Sequence, residues 1–158
     1  MKKVLLLLCL ISLSVSMQAQ QPVLQASSLN RLLDLLTRDS VSYLRGEEKS
    51  DPMNGTYHVS TLPAMGKYAI NISERPQQAI PLSFFIEVPI SKGVSFAKVK
   101  AELTALVKAK KLKYNMKVKE TYEYGILALG DGVLIIHILN YEGEGNVRIS
   151  VYRDEKYE

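Results

Sequence analysis

The chain has 158 residues, with 20 Lys and Arg against 16 Asp and Glu and a formal net charge of +4. That length suits one domain, and a composition of 47% hydrophobic and 23% charged residues excludes wholesale disorder. One Cys and two His exclude a disulfide framework and a zinc site built from cysteine and histidine. The composition therefore predicts a small globular domain without a metal or cofactor.

The first 19 residues have the layout of a secretory signal peptide. Lys2 and Lys3 form a basic start, an apolar run of about 12 residues follows, and small residues lead to Ala19. The run is shorter than the roughly 20 residues that span a bilayer. We therefore expect cleavage after Ala19, no transmembrane segment in the mature chain, and export to the periplasm or the cell exterior.

Cleavage would change the charge of the chain and remove its cysteine. Cys9 lies in the middle of the apolar run, where a lipid-modified cysteine is not expected. Without Lys2 and Lys3, 18 basic and 16 acidic side chains remain, a net charge of +2. The mature chain would then depend on its core alone for stability, and a global attraction to nucleic acid loses support.

Residues 27–153 are predicted to form a single α+β domain, between a flexible lead at 20–26 and a charged tail at 154–158. An apolar stripe at helical spacing indicates a first helix. The stripe comprises Leu29, Leu32, Leu33, Leu36, Tyr43 and Leu44. We expect Ser27 or Ser28 to cap this helix and Gly46 to end it.

A second helix is predicted from a cap at Ser95 to about Lys110. Apolar alternation and turn residues predict six or seven strands. These are residues 56–62, 67–73, 80–90, 113–124, 126–129, 133–141 and 147–152. Residues 47–55 are predicted to be a loop, because they hold charges, a proline and an Asn-Gly turn dipeptide.

The predicted order is α-β-β-β-α-β-β-β, with three or four strands in the second half. Such an order favours an α+β fold in which antiparallel strands carry both helices on one face. Two alternatives stay open at this point. The strands form one sheet or two small sheets, and the two halves are either unrelated or repeats of one αβββ unit.

The most distinctive feature of the sequence is a cluster of lysines. Residues 98–119 hold eight lysines and one acid, a local charge of +7 in 22 residues. We predict a binding patch made of Lys108, Lys111, Lys113, Lys117 and Lys119, which would meet a protein or another anionic envelope component. The structural alternatives are that lysines stabilise a helix C-terminus and protect a sheet edge. Specific nucleic-acid recognition is not indicated, because no stacking aromatics share this face.

Four other residues are candidates for chemistry. His137 and Glu87 interrupt apolar runs, and Glu120 falls on the apolar register of its strand, between Val118 and Tyr122. Burial at these positions would shift the pKa values of the three side chains. His58 could join them in a metal site, but no ligand spacing supports one. No serine stands in a G-x-S-x-G motif. We therefore predict no catalytic or metal-binding residue, and expect these side chains to be solvated or satisfied by neighbours.

The sequence favours an exported, non-enzymatic binding protein that uses its lysine-rich face or a sheet edge. One alternative is a domain that binds a small ligand in a pocket between helix and sheet. Another is a small hydrolase that uses buried acids or His137. Whether His58, His137, Glu87 and Glu120 share one cleft is the observation that separates the hydrolase from the rest.

Overall fold

The computed structural model describes residues 21–38, 42–51, 55–74, 82–121, 125–130 and 134–153. The expected signal peptide, the first residue of the lead and the charged tail lie outside the described residues. Within them, no helix is long and apolar enough to cross a membrane.

Two helices and eight strands make up the described chain. The helices are α1 (Ala26–Leu36) and α2 (Phe96–Lys108). The strands are β1 (Arg45–Asp51), β2 (Gly55–Ser60), β3 (Asn71–Glu74), β4 (Leu82–Pro89), β5 (Met116–Thr121), β6 (Gly125–Gly130), β7 (Leu134–Tyr141) and β8 (Asn146–Arg153). The predicted α+β class is confirmed, and each half has the order α-β-β-β-β.

All eight strands belong to one antiparallel sheet, in the order β1-β2-β3-β4-β8-β7-β6-β5. Each half forms a four-stranded meander, and the two meanders join where β4 pairs with β8. The alternative of two small sheets is therefore wrong. The two halves repeat one order of elements about the β4–β8 junction, with four strands in each. The first half has one strand more than predicted, and the second half has the larger of the two predicted numbers.

Both helices pack on one face of the sheet, as predicted. In β4, Phe84, Ile86 and Val88 belong to the core that also holds the helix side chains. Their cross-strand partners Val151, Ile149 and Val147 belong to it as well. The helices contribute Leu29, Leu32, Leu33, Leu35, Leu36, Val99 and Leu103. Each such side chain stabilises the fold by about 1.5–3 kcal/mol when fully buried.

The loop predicted at residues 47–55 is wrong, because β1 occupies most of it. β1 pairs with β2, with an irregularity between Arg45 and Glu48. Its described side chains are all exposed. An edge strand with both faces in water needs no apolar alternation, so its sequence carries no strand pattern.

The predicted ends of α1 are also wrong. Gln25 holds the N-cap position, its side chain makes no capping hydrogen bond, and the helix ends at Leu36. Ser27 and Ser28 lie inside the helix. Leu44 is nevertheless buried, because a short 3-10 turn at Ser42–Leu44 returns the chain to the core.

The residues before α1 take part in packing. Val23 and Leu24, which the sequence analysis assigned to the lead, are buried in the core. The backbone N–H of Leu24 donates to Glu102 Oε2 of α2 at 2.9 Å. The predicted cap of α2 is confirmed, since Ser95 Oγ accepts from the backbone N–H of Lys98 at 3.3 Å.

Candidate binding surface

The five lysines predicted to form a patch do not share one face. β5 begins at Met116, and both Met116 and Val118 pack on the core beneath the helices. Side chains alternate along a strand, so Lys117 and Lys119 lie on the face away from the helices. The predicted placement of Lys113 beside these two lysines is wrong, because Lys113 precedes the strand and contacts α1.

The other lysines gather where α2 ends. We call Lys108, Lys110, Lys111 and Lys113 the lysine cluster. All four are exposed, and residues 108–113 contain no acid. Within the described residues, no ion pair involves Lys108, Lys110 or Lys111. The structure therefore assembles a smaller positive surface than the sequence predicted, on one side of the sheet.

The turn at the end of α2 positions this cluster. The backbone N–H of Lys110 donates to Val107 O at 3.0 Å, and that of Lys111 donates to Leu106 O at 3.1 Å. These two bonds are those of a Schellman motif. The motif requires a left-handed residue, usually glycine, and here that residue is Lys110, with a φ of 51°.

Two polar side chains of α1 hold the segment that follows. Asn30 Oδ1 accepts from the backbone N–H of Lys113 at 2.7 Å, and Asn30 Nδ2 donates to Lys111 O at 3.2 Å. Asp34 Oδ1 accepts from Lys113 Nζ at 2.9 Å and from Tyr114 Oη at 2.8 Å. The lysine cluster is thus anchored to the first helix rather than carried on a free loop.

The same contacts set the charges of the groups involved. Hydrogen bonds from Lys113 and then Tyr114 lower the pKa of Asp34. The hydrogen bond to Asp34 raises the pKa of Lys113. Burial, followed by the bond to Asp34, raises the pKa of Tyr114. Asp34 is therefore ionised at neutral pH and offsets one of the four positive charges.

A groove of about 250 Å³ lies beside the cluster. Val107, Leu112 and Met116 supply its apolar lining, while Lys110 and Lys113 supply positive charge. An apolar floor next to charged side chains is the composition expected of a contact surface with a desolvated centre and a polar rim.

The two histidines lie on opposite faces of the sheet. His58 pairs across strands with Ile72, a core residue, so it lies on the face that carries the helices. His137 pairs with Ser150 on the other face, and burial lowers the pKa of His137. Among the described residues, no group of three or more His, Cys, Asp or Glu side chains is placed to hold a metal ion.

Glu120 and Glu87 also lie on opposite faces of the sheet. Glu120 lies on the helix side of β5, where it forms an ion pair with Lys100 of α2 and is solvent-exposed. Glu87 lies on the opposite face, directly across from Arg148. β2, which carries His58, is the second strand from one edge of the sheet, and β5, which carries Glu120, forms the other edge. The four residues therefore do not share one cleft.

One group of packed side chains was not predicted from the sequence. On the face without helices, the guanidinium carbon of Arg148 lies 3.9 Å from the centre of the Phe85 ring. Tyr57 meets the same ring edge-on, with 5.5 Å between centroids. Arg148 is 7% exposed and Phe85 1%. The alternation of β8 shows that Arg148 points away from the core, but only the pairing of β4 with β8 places it over Phe85.

Comparison of the chain with protein-family models, with curated proteins and with solved structures found no match. The functional assignment therefore depends on the geometry of the described residues.

Proposed function

We propose that this chain is an exported, non-enzymatic binding domain that contacts an anionic macromolecular partner through the lysine cluster. The observation that carries the proposal is the conformation of Lys110. Its φ of 51° belongs to a position where glycine closes a helix with least strain. Strained residues concentrate at functional sites, and here the strain places a cation at the centre of the cluster.

The surroundings of the cluster support this proposal. Its backbone is tied to Asn30 of α1, so little conformational freedom would be lost on binding. Three of its four positive charges have no offsetting acid among the described residues. A positive surface of this kind speeds encounter with an acidic partner and disfavours a basic one.

The sheet edges and a pocket between helices and sheet are less well supported as binding surfaces. Both edge strands, β1 and β5, carry charged side chains, and β1 is also irregular. These are features that oppose pairing with another strand. The space between helices and sheet is filled by core side chains such as Phe84, Ile136 and Ile138, which gives no support to a ligand pocket there.

The proposal is tested by partner capture with charge-matched variants. Immobilised full-length protein is incubated with envelope extract of its own source, alongside Lys108→Gln/Lys111→Gln and Lys117→Gln/Lys119→Gln. Both variants lose two positive charges, but only the first pair belongs to the cluster. We expect a defined partner to be captured by the wild type and by the Lys117/Lys119 variant, and to be lost by the Lys108/Lys111 variant.

Capture by all three proteins, or equal loss from both variants, would contradict a role for the cluster. Sedimentation with vesicles that contain anionic lipid is run in parallel. Binding to vesicles without capture of any protein would replace the acidic protein by a lipid surface as the partner.

Export is tested separately. We expect the protein recovered from the cell envelope to begin at Gln20, as read by N-terminal sequencing. Recovery of a chain that begins at Met1 from the cytoplasm would contradict export and leave the lysine cluster to be judged on the capture experiment alone.

A further inference from the structure

The groove beside the lysine cluster has the size and the lining of a site for one apolar side chain. Its volume is about 250 Å³, whereas an apolar cavity of about 150 Å³ is already large enough to hold benzene. Leu112 and Met116 form a buried floor, and Val107 adds a half-buried valine to the lining. A large apolar side chain of a partner would therefore lose its contact with water in the groove.

The chain that lines the groove is fixed before anything binds. Leu112 lies between two hydrogen bonds to α1. Asn30 Nδ2 donates to Lys111 O at 3.2 Å, and Asn30 Oδ1 accepts from the backbone N–H of Lys113 at 2.7 Å. The Schellman motif around Lys110 fixes the chain on the side of α2. A partner would therefore lose little free energy to ordering of the groove.

The surroundings of the groove are positively charged on the side of α2. Lys110 lines the groove, and Lys108 and Lys111 are exposed in the same stretch of chain. Within the described part of the chain, no acidic side chain forms an ion pair with any of these three ammonium groups. The described lining contains no acid either. Carboxylates beside an apolar side chain in the groove would thus meet positive charge that the protein itself does not offset.

Asp34 contacts the lining from the side of α1, and its negative charge is already offset. It accepts hydrogen bonds from Lys113 and Tyr114. These bonds, together with the charges of Lys113 and Arg38, lower the pKa of Asp34. Two cations therefore act on one carboxylate, so this side of the groove does not repel an acidic ligand.

The apolar part of this surface is recessed. Proteins that bind at a membrane surface bury protruding apolar side chains among the lipid headgroups. In the part of the chain that the structure describes, the large apolar side chain that stands exposed is Tyr43, which does not line the groove. The groove is thus shaped to receive a side chain rather than to insert one, which favours a protein segment over a lipid bilayer as the partner.

We propose that the lysine cluster and its groove bind a short acidic segment of a partner protein, with one large apolar side chain of that segment in the groove and carboxylates beside it. The inference rests on the proposed function, because it takes the lysine cluster as the contact surface, and it adds what the partner presents. The buried side chain acts as the anchor of the interface. The ion pairs alone contribute little, because they are exposed to solvent.

The test is a titration of the isotopically labelled full-length protein with synthetic peptides, followed by its backbone amide NMR signals at low salt. The first peptide is Gly-Glu-Glu-Leu-Glu-Glu-Gly. A second has serine in place of the leucine, and a third has glutamine in place of every glutamate. We expect saturable shifts of the Leu112 and Met116 signals with the leucine peptide. The serine peptide should bind at least about tenfold more weakly, and the glutamine peptide should not reach saturation.

A pair of valine variants tests the groove. Val107→Thr makes the lining more polar at nearly constant shape. Val118→Thr makes the same change at a partly buried valine that packs against the core outside the groove. The preference for the leucine peptide over the serine peptide should fall at least about threefold in Val107→Thr and stay within about twofold of the wild type in Val118→Thr. Circular dichroism shows whether each variant is folded, and the comparison of peptides on the wild type does not depend on either.

Charge-matched variants test the lysines. Lys108→Gln/Lys111→Gln should weaken binding of the leucine peptide at least about fivefold, whereas Lys117→Gln/Lys119→Gln should change it by less than about twofold. Undiminished binding of the leucine peptide by the first variant would contradict both this inference and the proposed function.

Other results would overturn the inference alone. These are equal affinities of the leucine and serine peptides, or no saturable shifts with the leucine peptide. The proposed function would survive them if the Lys108/Lys111 variant still lost the captured partner. Binding to anionic vesicles without binding of the leucine peptide would likewise overturn the inference and assign the surface to lipid.

Discussion

Asp34 is the residue through which the first helix fixes the lysine-bearing segment. Its carboxylate accepts hydrogen bonds from Lys113 and Tyr114, and these bonds lower its pKa. A carboxyl group with a lowered pKa in the folded state stabilises that state above the pKa of the unfolded chain. The contribution is therefore present above about pH 3.8 and is lost as the pH falls through the lower folded value.

We predict that Asp34→Asn lowers the free energy of unfolding at pH 7 by about 1 kcal/mol or less, because the pair is partly exposed to solvent. Urea unfolding measures the change. Below the folded pKa of Asp34 the wild type and the variant should become equally stable. Glu144→Gln, at an exposed position, is the control. An Asp34→Asn protein as stable as this control at pH 7 would contradict the prediction.

His137 should make the free energy of unfolding depend on pH in a higher range than Asp34 does. Burial lowers its pKa from 6.5, so between the folded value and 6.5 the unfolded chain binds more protons. The free energy of unfolding is then highest above about pH 6.5 and decreases as the pH falls toward the folded pKa of His137. His137→Gln should remove this slope in urea unfolding, whereas His58→Gln, which leaves His137 in place, should retain it. A slope that persists in His137→Gln would assign it to another group.

The end of the second helix combines backbone strain at Lys110 with positive charge. Lys110→Gly should raise the free energy of unfolding by about 0.5–1 kcal/mol, since the left-handed conformation is favourable only for glycine. Lys108→Gly, within the last turn, should lower it by about 1 kcal/mol. The two variants remove the same charge, so unfolding changes of the same sign would contradict the assigned role of Lys110.

Elements with a buried face could be predicted from the sequence, and those without one could not. α2, β4 and β8 carry apolar side chains at regular spacing, and each was located within a few residues. β1 has no buried side chain among those described, and it forms only because β2 supplies hydrogen-bond partners. The predicted extension of α1 to Leu44 was wrong, because a 3-10 turn outside the helix brings Leu44 into the core.

The candidate site could likewise be predicted only in part. The density of lysine in residues 98–119 is visible in the sequence. The division of those lysines between two faces depends on where β5 begins. The start of β5 is set by contacts that Asn30 and Asp34 make with the segment before the strand. Both residues are more than 75 positions from that segment in the sequence.

One sheet and one core unite the two halves of the molecule. β4 and β8 pair along their length, from Ser83 with Tyr152 to Pro89 with Asn146. Helix side chains from both halves enter the same core. We therefore expect one cooperative unfolding transition, with circular dichroism and tyrosine fluorescence giving the same urea midpoint.

The separated halves provide the complementary measurement. Residues 21–90 and 91–153, expressed apart, should each lack stable structure, because separation exposes the inner strand and the apolar face beside it. Two distinct transitions in the intact chain, or a half that unfolds cooperatively alone, would contradict the single unit.

The order of strands also has a kinetic consequence. Within each meander, neighbouring strands follow one another along the chain and can pair by closing short loops. Phe84 and Val151, at the junction, are 67 positions apart. Once the second meander has formed, however, its own hairpins shorten the path between β4 and β8. Docking of two preassembled meanders is then the slow step of folding, and side chains at the junction would govern the folding rate more than those near either edge.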